Sequence, residues 1–346
     1  MLFLRKPDMV ESINMKTADV QALPAPPSLI GSLLAGFNAT ANHIDLVLLP
    51  IFLDLFLWFG PHLRLARLVD GLLSNAASQS GVLGMESTDL LQAGGKFWAS
   101  VTERLNLFSS IRSYPVGVPS LMASSQPLNT PIGKPVFMDT GSIGLVILFW
   151  IFISILGLAI GTLYFSIVSQ AAVSGQVSWR SAFSAWRWEV PQVLLLALLW
   201  TGIIVAIFVP ASCLLSTIVF AGLPFADMAL FIYAGLVLWI LFPLFFSPFG
   251  IFLYQRKMSD SVKDSMRVTR MTMPRSLLFL LIILLVDEGF TILWQVPEDV
   301  SWLAVIGIIG HAFIATGLVA ACFIYYRDAS RWSQRLIQQA ALSPRA

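Results

Sequence analysis

Six apolar runs dominate this chain, each near or above the about 20 residues that a helix needs to cross a bilayer. They fall at 42–60, 142–168, 191–221, 226–254, 275–296 and 302–326. Inside hydrocarbon every backbone N–H and C=O must find its partner within the protein, and a helix does this segment by segment. Composition points the same way. Hydrophobic residues make up 57% of the 346 and charged ones 12%, and mean hydropathy is +0.80. A soluble domain carries about 25% charged residues. The sequence therefore predicts an all-α, polytopic membrane helix bundle: about six transmembrane helices as three hairpins, with amphipathic helices at the interfaces.

Two runs are irregular. The first, 42–60, is short and carries Asp45, Pro50 and Asp54. The run 191–221 is too long for one straight span and contains Pro210, so it reads as a kinked or tilted helix, or as a span followed by an interfacial piece.

Lysine and arginine set the expected orientation. Arg256, Lys257, Lys263, Arg267, Arg270 and Arg275 follow the fourth run, Arg327, Arg331, Arg335 and Arg345 follow the last, and Arg180 and Arg187 precede the third. The alternate connections carry only Asp227, or Glu298 and Asp299. The basic segments should face the cytoplasm, which places both termini inside a multi-pass cell (plasma or inner) membrane protein. Arg5, Lys6, Asp8, Glu11, Lys16 and Asp19 interrupt the N-terminal region, so no cleavable signal peptide is expected there.

Residues 1–41 read as a cytoplasmic tail ending in an interfacial helix, with Leu29, Ile30, Leu33, Leu34 and Phe37 on one face and Ser28, Ser32 and Asn38 off it. Asn38-Ala39-Thr40 is a formal glycosylation sequon, but this orientation puts it on the cytoplasmic side. Residues 61–140 form the long outer connection. Leu65, Leu68, Val69, Leu72 and Leu73 recur at helical spacing, as do Leu90, Leu91, Phe97, Trp98, Val101, Leu105 and Phe108, with Ser87 or Thr88 as a cap and Asp89 in the first turn. Pro115, Pro119, Pro127, Pro131 and Pro135 then predict an irregular return. Residues 141–346 form the membrane bundle with a basic C-terminal tail.

Within the bundle, Arg187-Trp-Glu-Val-Pro191-Gln-Val-Leu194-Leu195 resembles Arg270-Met-Thr-Met-Pro274-Arg-Ser-Leu277-Leu278. Phe252-Leu-Tyr254-Gln-Arg256 matches Phe323-Ile-Tyr325-Tyr-Arg327. Proline suits a first helical turn, and a tyrosine beside an arginine suits the interface. Residues 175–256 and 258–327 thus read as two parallel hairpin repeats, or as spans that share end signals. The stretch from Ala171 to Phe183 and the Tyr325-Tyr326-Arg327-Asp328 ending resemble bacterial six-span families related to the membrane domain fused to some glycerophosphodiester phosphodiesterases. The resemblance implies a bundle of helical hairpins. It brings no active site, because that chemistry belongs to a soluble barrel, and 61–140 departs from the pattern.

Ionisable groups at membrane depth are functional candidates by default. Here they are Asp54, Asp287, Glu288 and His311. Asp287 lies nine residues before position 296 and His311 nine after 302, so each is about 14 Å into its span. A tight hairpin would set His311 against Asp287 or Glu288, either as a proton-responsive or ligand-binding site or as a buried pair fixing helix register. Pro210, Pro243 and Pro248 predict kinks that open backbone carbonyls to a cavity or are absorbed by packing. Gly157 and Gly161, and Gly307 and Gly310, suit close helix packing.

Complete catalytic motifs are absent. There is no H-E-x-x-H, no G-x-S-x-G elbow and no P-loop, and the three histidines are too few for a usual metal cluster. Cys213 and Cys322 sit in apolar runs as packing residues. His311 with Gly317 lacks the serine nucleophile of an intramembrane protease. No basic domain stands apart to hold nucleic acid. The expectation is a non-enzymatic membrane protein without cofactor or metal, in contact with membrane lipids and a possible membrane-protein partner, acting as a lipid-interacting scaffold or accessory subunit. The alternative is a permease-type subunit for a small solute or lipid. A sealed, glycine-packed bundle would favour the first. A polar cavity reaching the midplane between spans three to six would favour the second.

Overall fold

A computed structural model describes residues 25–71, 74–75, 105–220 and 224–342. The second outer helix read from Leu90 to Val101, its cap at Ser87 or Thr88, and the pair Leu72 and Leu73 lie outside the described residues. The fold is an all-α membrane bundle. Its helices are α1 (Leu29–Asn42), α2 (Leu48–Phe59), the one-turn α3 (Met122–Ser125), α4 (Ile143–Ser174), α5 (Trp179–Ile203), α6 (Val209–Phe220), α7 (Ala226–Leu241), α8 (Ser247–Tyr254), α9 (Met258–Met271), α10 (Met273–Trp294) and α11 (Ala304–Leu342). Two three-residue strands, β1 (His62–Arg64) and β2 (Phe137–Asp139), pair in parallel.

Among the described residues, five helical stretches are long and apolar enough to cross a membrane: Ile143–Ser174, Trp179–Ile218, Ala226–Tyr254, Met273–Trp294 and Ala304–Ala341. The pair α1 and α2 passes the same test jointly, with a bend of 93° between its halves. The run read as a first span at 42–60 and the preceding stretch read as an interfacial helix are thus the two halves of one bent unit. Arg275, at the start of α10, donates to Pro27 O at 3.4 Å. Trp58 Nε1, at the end of α2, donates to Asp299 O at 3.1 Å, in the loop that follows α10. The ends of the bent pair therefore stand near opposite ends of α10, whose 22 residues measure about 33 Å, while the pair packs on α11.

The packing of α1 inverts the logic of a soluble helix. Ile30 and Leu34 face outward, while Ser32, Gly36 and Thr40 are buried. A Cβ at Gly36 would lie 2.5 Å from Ala321 N and 2.6 Å from Gly317 O. Lipid solvates leucine as well as a neighbouring helix does, so small residues at four-residue spacing form the interface and let the backbones touch.

The run read from 191 begins earlier, at Trp179, and is one continuous helix to Ile218. It passes through Pro191 and then a π-turn at Ile204–Phe208, where Val209 N bonds Ile204 O immediately before Pro210. The wider turn absorbs the proline's missing donor without a break. The joint of α7 and α8 holds Pro243 and Pro248 around a 3₁₀ turn, Phe242–Leu244. Helix α9 folds back onto this joint. Ser265 Oγ donates to Pro243 O at 2.7 Å and Ser261 Oγ to Ser247 O at 2.5 Å, so two serines tie α9 to backbone carbonyls at the joint.

The two units 175–256 and 258–327 differ at this level. Arg187 to Pro191 lies inside the continuous α5, whereas Arg270 to Pro274 straddles the break between α9 and α10. At the centre stands α11, 39 residues long and helical well past the expected end at 326. Its Tyr325 stacks on Phe279 at 4.1 Å between ring centroids, and Phe323 meets Phe249 edge-on at 4.8 Å.

Candidate functional site: a cavity walled by a re-entrant loop

The return segment of 61–140 does not stay on the surface. Residues 112–121 run along α4 and α11, with Val116, Val118, Ser120 and Leu121 buried and Arg112 and Tyr114 exposed at the entrance. Gly157 and Gly161 of α4, expected to pack against a helix, instead seat this loop. A Cβ at Gly161 would lie 2.8 Å from Gly117 Cα, and one at Gly157 would strike Ile111 O. Gly307 and Gly310 receive Trp294 of the hairpin partner: a Cβ at Gly310 would lie 2.5 Å from its ring.

Asp54 fixes the loop. It is fully buried and accepts from Ser120 Oγ at 2.5 Å, Met122 N at 2.9 Å and Leu121 N at 3.1 Å. Three donors around one carboxylate, two of them backbone amides opening α3, make Asp54 a clamp. It does not line the cavity. Asn106 Oδ1 ties the loop's start by accepting from Leu63 N and Phe108 N, both at 3.1 Å. The β1–β2 pair closes the base, with Arg64 Nε 3.6 Å from Asp139 Oδ1 and its guanidinium 3.7 Å over the Phe137 ring. Beside it, burial pushes the His62 imidazole below its ordinary value, against the opposing hydrogen bond to Leu57 O at 3.0 Å.

Between this loop and helices α4, α5, α8, α10 and α11 lies a cavity of about 190 Å³. Arg112, Trp200, Asp287, His311 and Cys322 line it, with Pro248 at the helix joint and aromatic rings on its walls. Asp287 stands seven residues before Trp294 at the end of α10, and His311 seven after Ala304 at the start of α11. Each is thus about 10 Å in from the hairpin turn. The two residues share the cavity without a hydrogen bond between them. His311 is 4% exposed, and its Nδ1 has no partner among the described residues. The Trp200 Nε1 is likewise buried and unpartnered.

Glu288 corrects the expected pairing. It is exposed and does not line the cavity. Consecutive helical residues project about 100° apart, so only one of Asp287 and Glu288 can face His311. Of the sequence candidates, the fold brings together Asp287, His311 and Pro248, and leaves Asp54, Glu288, Pro210 and Pro243 outside the cavity.

Three lining residues escaped the sequence reading. Arg112 and Tyr114 sit in a stretch whose prolines signalled only an irregular return, and Trp200 is one aromatic among many in an apolar run. Glu189 was missed too. It is 2% exposed, with Oε1 3.5 Å from Ser166 Oγ and Oε2 unpartnered among the described residues. Its signal was a helix that starts at Trp179, which places Glu189 in the body of α5 against α4.

No family model, curated protein or solved structure matches this chain.

Proposed function

We propose that this chain is a permease-type membrane protein, binding a small solute or a lipid headgroup in the cavity behind the re-entrant loop. One observation carries the reading: two buried polar atoms, His311 Nδ1 and Trp200 Nε1, belong to residues lining a single cavity and have no protein partner. A buried unsatisfied group costs about 1–3 kcal/mol, and two of them on residues of one cavity support an occupant that meets them when small side-chain shifts expose them. The cavity lies among the third to sixth apolar helices, where the alternative of a sealed scaffold would have packed side chains. The bent α1–α2 pair supplies a sixth crossing in this reading, with both chain ends on the basic, cytoplasmic side. No motif for ATP hydrolysis or covalent chemistry accompanies the cavity, and the reading is non-enzymatic.

Cys322 supplies the test, because it lines the cavity and is buried. In a Cys213→Ser background, a small water-soluble methanethiosulfonate reagent should modify Cys322 in the folded protein in sealed vesicles. Labelling only after unfolding would mean a sealed interior and would overturn the reading.

A second reading rests on a different element. Helix α7 has no buried residue, and Phe231 and Trp239 stand largely exposed along it. An accessory subunit would cover this face with a partner membrane protein. Release from native membranes under mild conditions, followed by mass spectrometry, would reveal a stoichiometric partner or its absence.

A further inference from the structure

We infer that the ligand of the central cavity is a small zwitterion, carrying an ammonium and a carboxylate or phosphate on one short backbone, held between Asp287 and Arg112. The inference rests on the cavity reading above and adds the chemistry of the occupant.

The lining holds one cation and one carboxylate: Arg112 on the re-entrant loop and Asp287 on α10. The Arg112 charge acts on Asp287 across the cavity, but the two form no ion pair within 4 Å. The Arg112 guanidinium instead reaches Ser120 O through Nη1 at 3.4 Å, which leaves its other N–H donors available. A purely anionic ligand would meet Arg112 but also face the Asp287 carboxylate. A purely cationic one would do the reverse. Asp287 is half-buried and Arg112 exposed, so the mismatch falls chiefly at Asp287, where a charge drawn out of water needs an opposite partner. A molecule bearing both charges satisfies both walls at once.

The neutral groups fit the same occupant. Trp200 Nε1–H is a donor only, suited to a carboxylate or phosphate oxygen. His311 Nδ1 can accept from an ammonium or donate to an oxyanion according to its tautomer. Tyr114, Trp200, Phe165 and Phe249 supply aromatic rings along the wall, over which an ammonium is favoured. Size is compatible: the cavity of about 190 Å³ exceeds the about 150 Å³ cavity that admits benzene, the scale of a small amino acid or of a phosphoethanolamine group. Both a free solute and the headgroup of a zwitterionic phospholipid carry this chemistry.

The test is calorimetric titration of the full-length protein in lipid nanodiscs with four soluble probes: L-alanine, phosphoethanolamine, acetate and ethylammonium. The zwitterions should saturate one site, and acetate and ethylammonium should bind at least about tenfold more weakly, a difference of about 1.4 kcal/mol. Asp287→Asn should erase the preference over acetate, and Arg112→Gln the preference over ethylammonium, each with an unchanged melting temperature. If L-alanine binds equally in phosphatidylethanolamine and phosphatidylglycerol discs, the source is a solute. If phosphatidylethanolamine discs already occlude the site, it is a lipid headgroup. Acetate or ethylammonium binding as tightly as the zwitterions, no zwitterion binding in discs of either lipid, or discrimination surviving both substitutions would overturn the inference. Cys322 labelling separates this failure from failure of the cavity reading, because an accessible cavity with no zwitterion preference keeps the latter alone.

Discussion

Asp54 on α2 and Ser120 in the re-entrant loop are joined by a 2.5 Å hydrogen bond, and through it the bent α1–α2 pair holds the wall of the cavity. The same carboxylate takes two backbone amides that open α3. Hydrogen bonds to a charged acceptor contribute about 1.5–3 kcal/mol each, and truncation leaves their donors buried and unmet. Asp54→Ala should therefore lower stability by about 2–4 kcal/mol, while Asp54→Asn, which keeps an acceptor oxygen, should lose less. Thermal unfolding in detergent measures both. An Asp54→Ala protein as stable as the parent would show that the loop is held elsewhere.

The contact of Gly36 with Gly317 and Ala321 makes a steric prediction. A Cβ there meets backbone, which cannot rotate aside, so α1 must move off α11. Gly36→Ala should destabilise by about 1–3 kcal/mol, the usual cost of overpacking a tight contact. Gly235 on α7 has nothing within 4 Å of its own imagined Cβ. Gly235→Ala should be neutral or slightly stabilising, since alanine is the better helix former by about 1 kcal/mol. The pair of melting curves checks geometry against generic helix propensity.

At the α7–α8 joint, two serines of α9 donate to backbone carbonyls and hold α9 against the broken helix. Removing both, in Ser261→Ala with Ser265→Ala, leaves Ser247 O and Pro243 O without these partners. Hydrogen bonds within membrane proteins average about 0.6 kcal/mol and reach about 1.7 kcal/mol, so the double variant should lose about 1–3 kcal/mol. Hydrogen exchange should rise at residues 242–250 in particular, and a loss spread evenly over the bundle would contradict the local account.

His62 gives the chain an acid sensitivity of known sign. Burial holds its folded-state value below the ordinary 6.5, so the unfolded chain takes up the proton first. Stability from this group is complete above pH 6.5 and falls as pH drops through that value towards the lower folded one. The unfolding midpoint should decline on acidification below about pH 6.5, and His62→Gln, which cannot titrate, should flatten that part of the profile. An identical decline in the variant would assign the sensitivity to other groups.

The membrane class and most span positions were legible because hydrocarbon imposes a length and a polarity that single runs reveal. The interior was not. Leu29, Ile30, Leu33, Leu34 and Phe37 read as one face of an interfacial helix, yet Ile30 and Leu34 are exposed and the closest contact is made by Ser32, Gly36 and Thr40, because apolar size does not distinguish lipid from protein inside a bilayer. Asp287 and His311 were found by depth alone, since an α10–α11 hairpin fixes their level; their rotation about the helix axes, which excludes Glu288, was not readable from depth. Arg112 was invisible because a proline-rich return carries no periodicity to show that it folds inward. The shared Arg-x-x-[Val/Met]-Pro signal fitted a span entry in both units, but a proline in a first turn and one inside a long helix look alike until neighbours decide.

His311 sets stability against function. Its buried Nδ1 has no partner, so in the empty protein the imidazole carries an unmet desolvation cost of about 1–3 kcal/mol. Leucine is close to histidine in size and brings no polar atom. His311→Leu should therefore hold or raise the melting temperature of the unliganded protein, by up to about 2 kcal/mol in stability, while weakening zwitterion binding in the cavity by about tenfold or more. A histidine kept for helix register would behave oppositely: its removal would destabilise the α10–α11 hairpin and leave ligand affinity in the surviving folded fraction unchanged. Melting and titration on the same preparation separate the two. A fall in stability with intact binding would return His311 to the structural core and leave Trp200, Arg112 and Asp287 as the polar groups of the site.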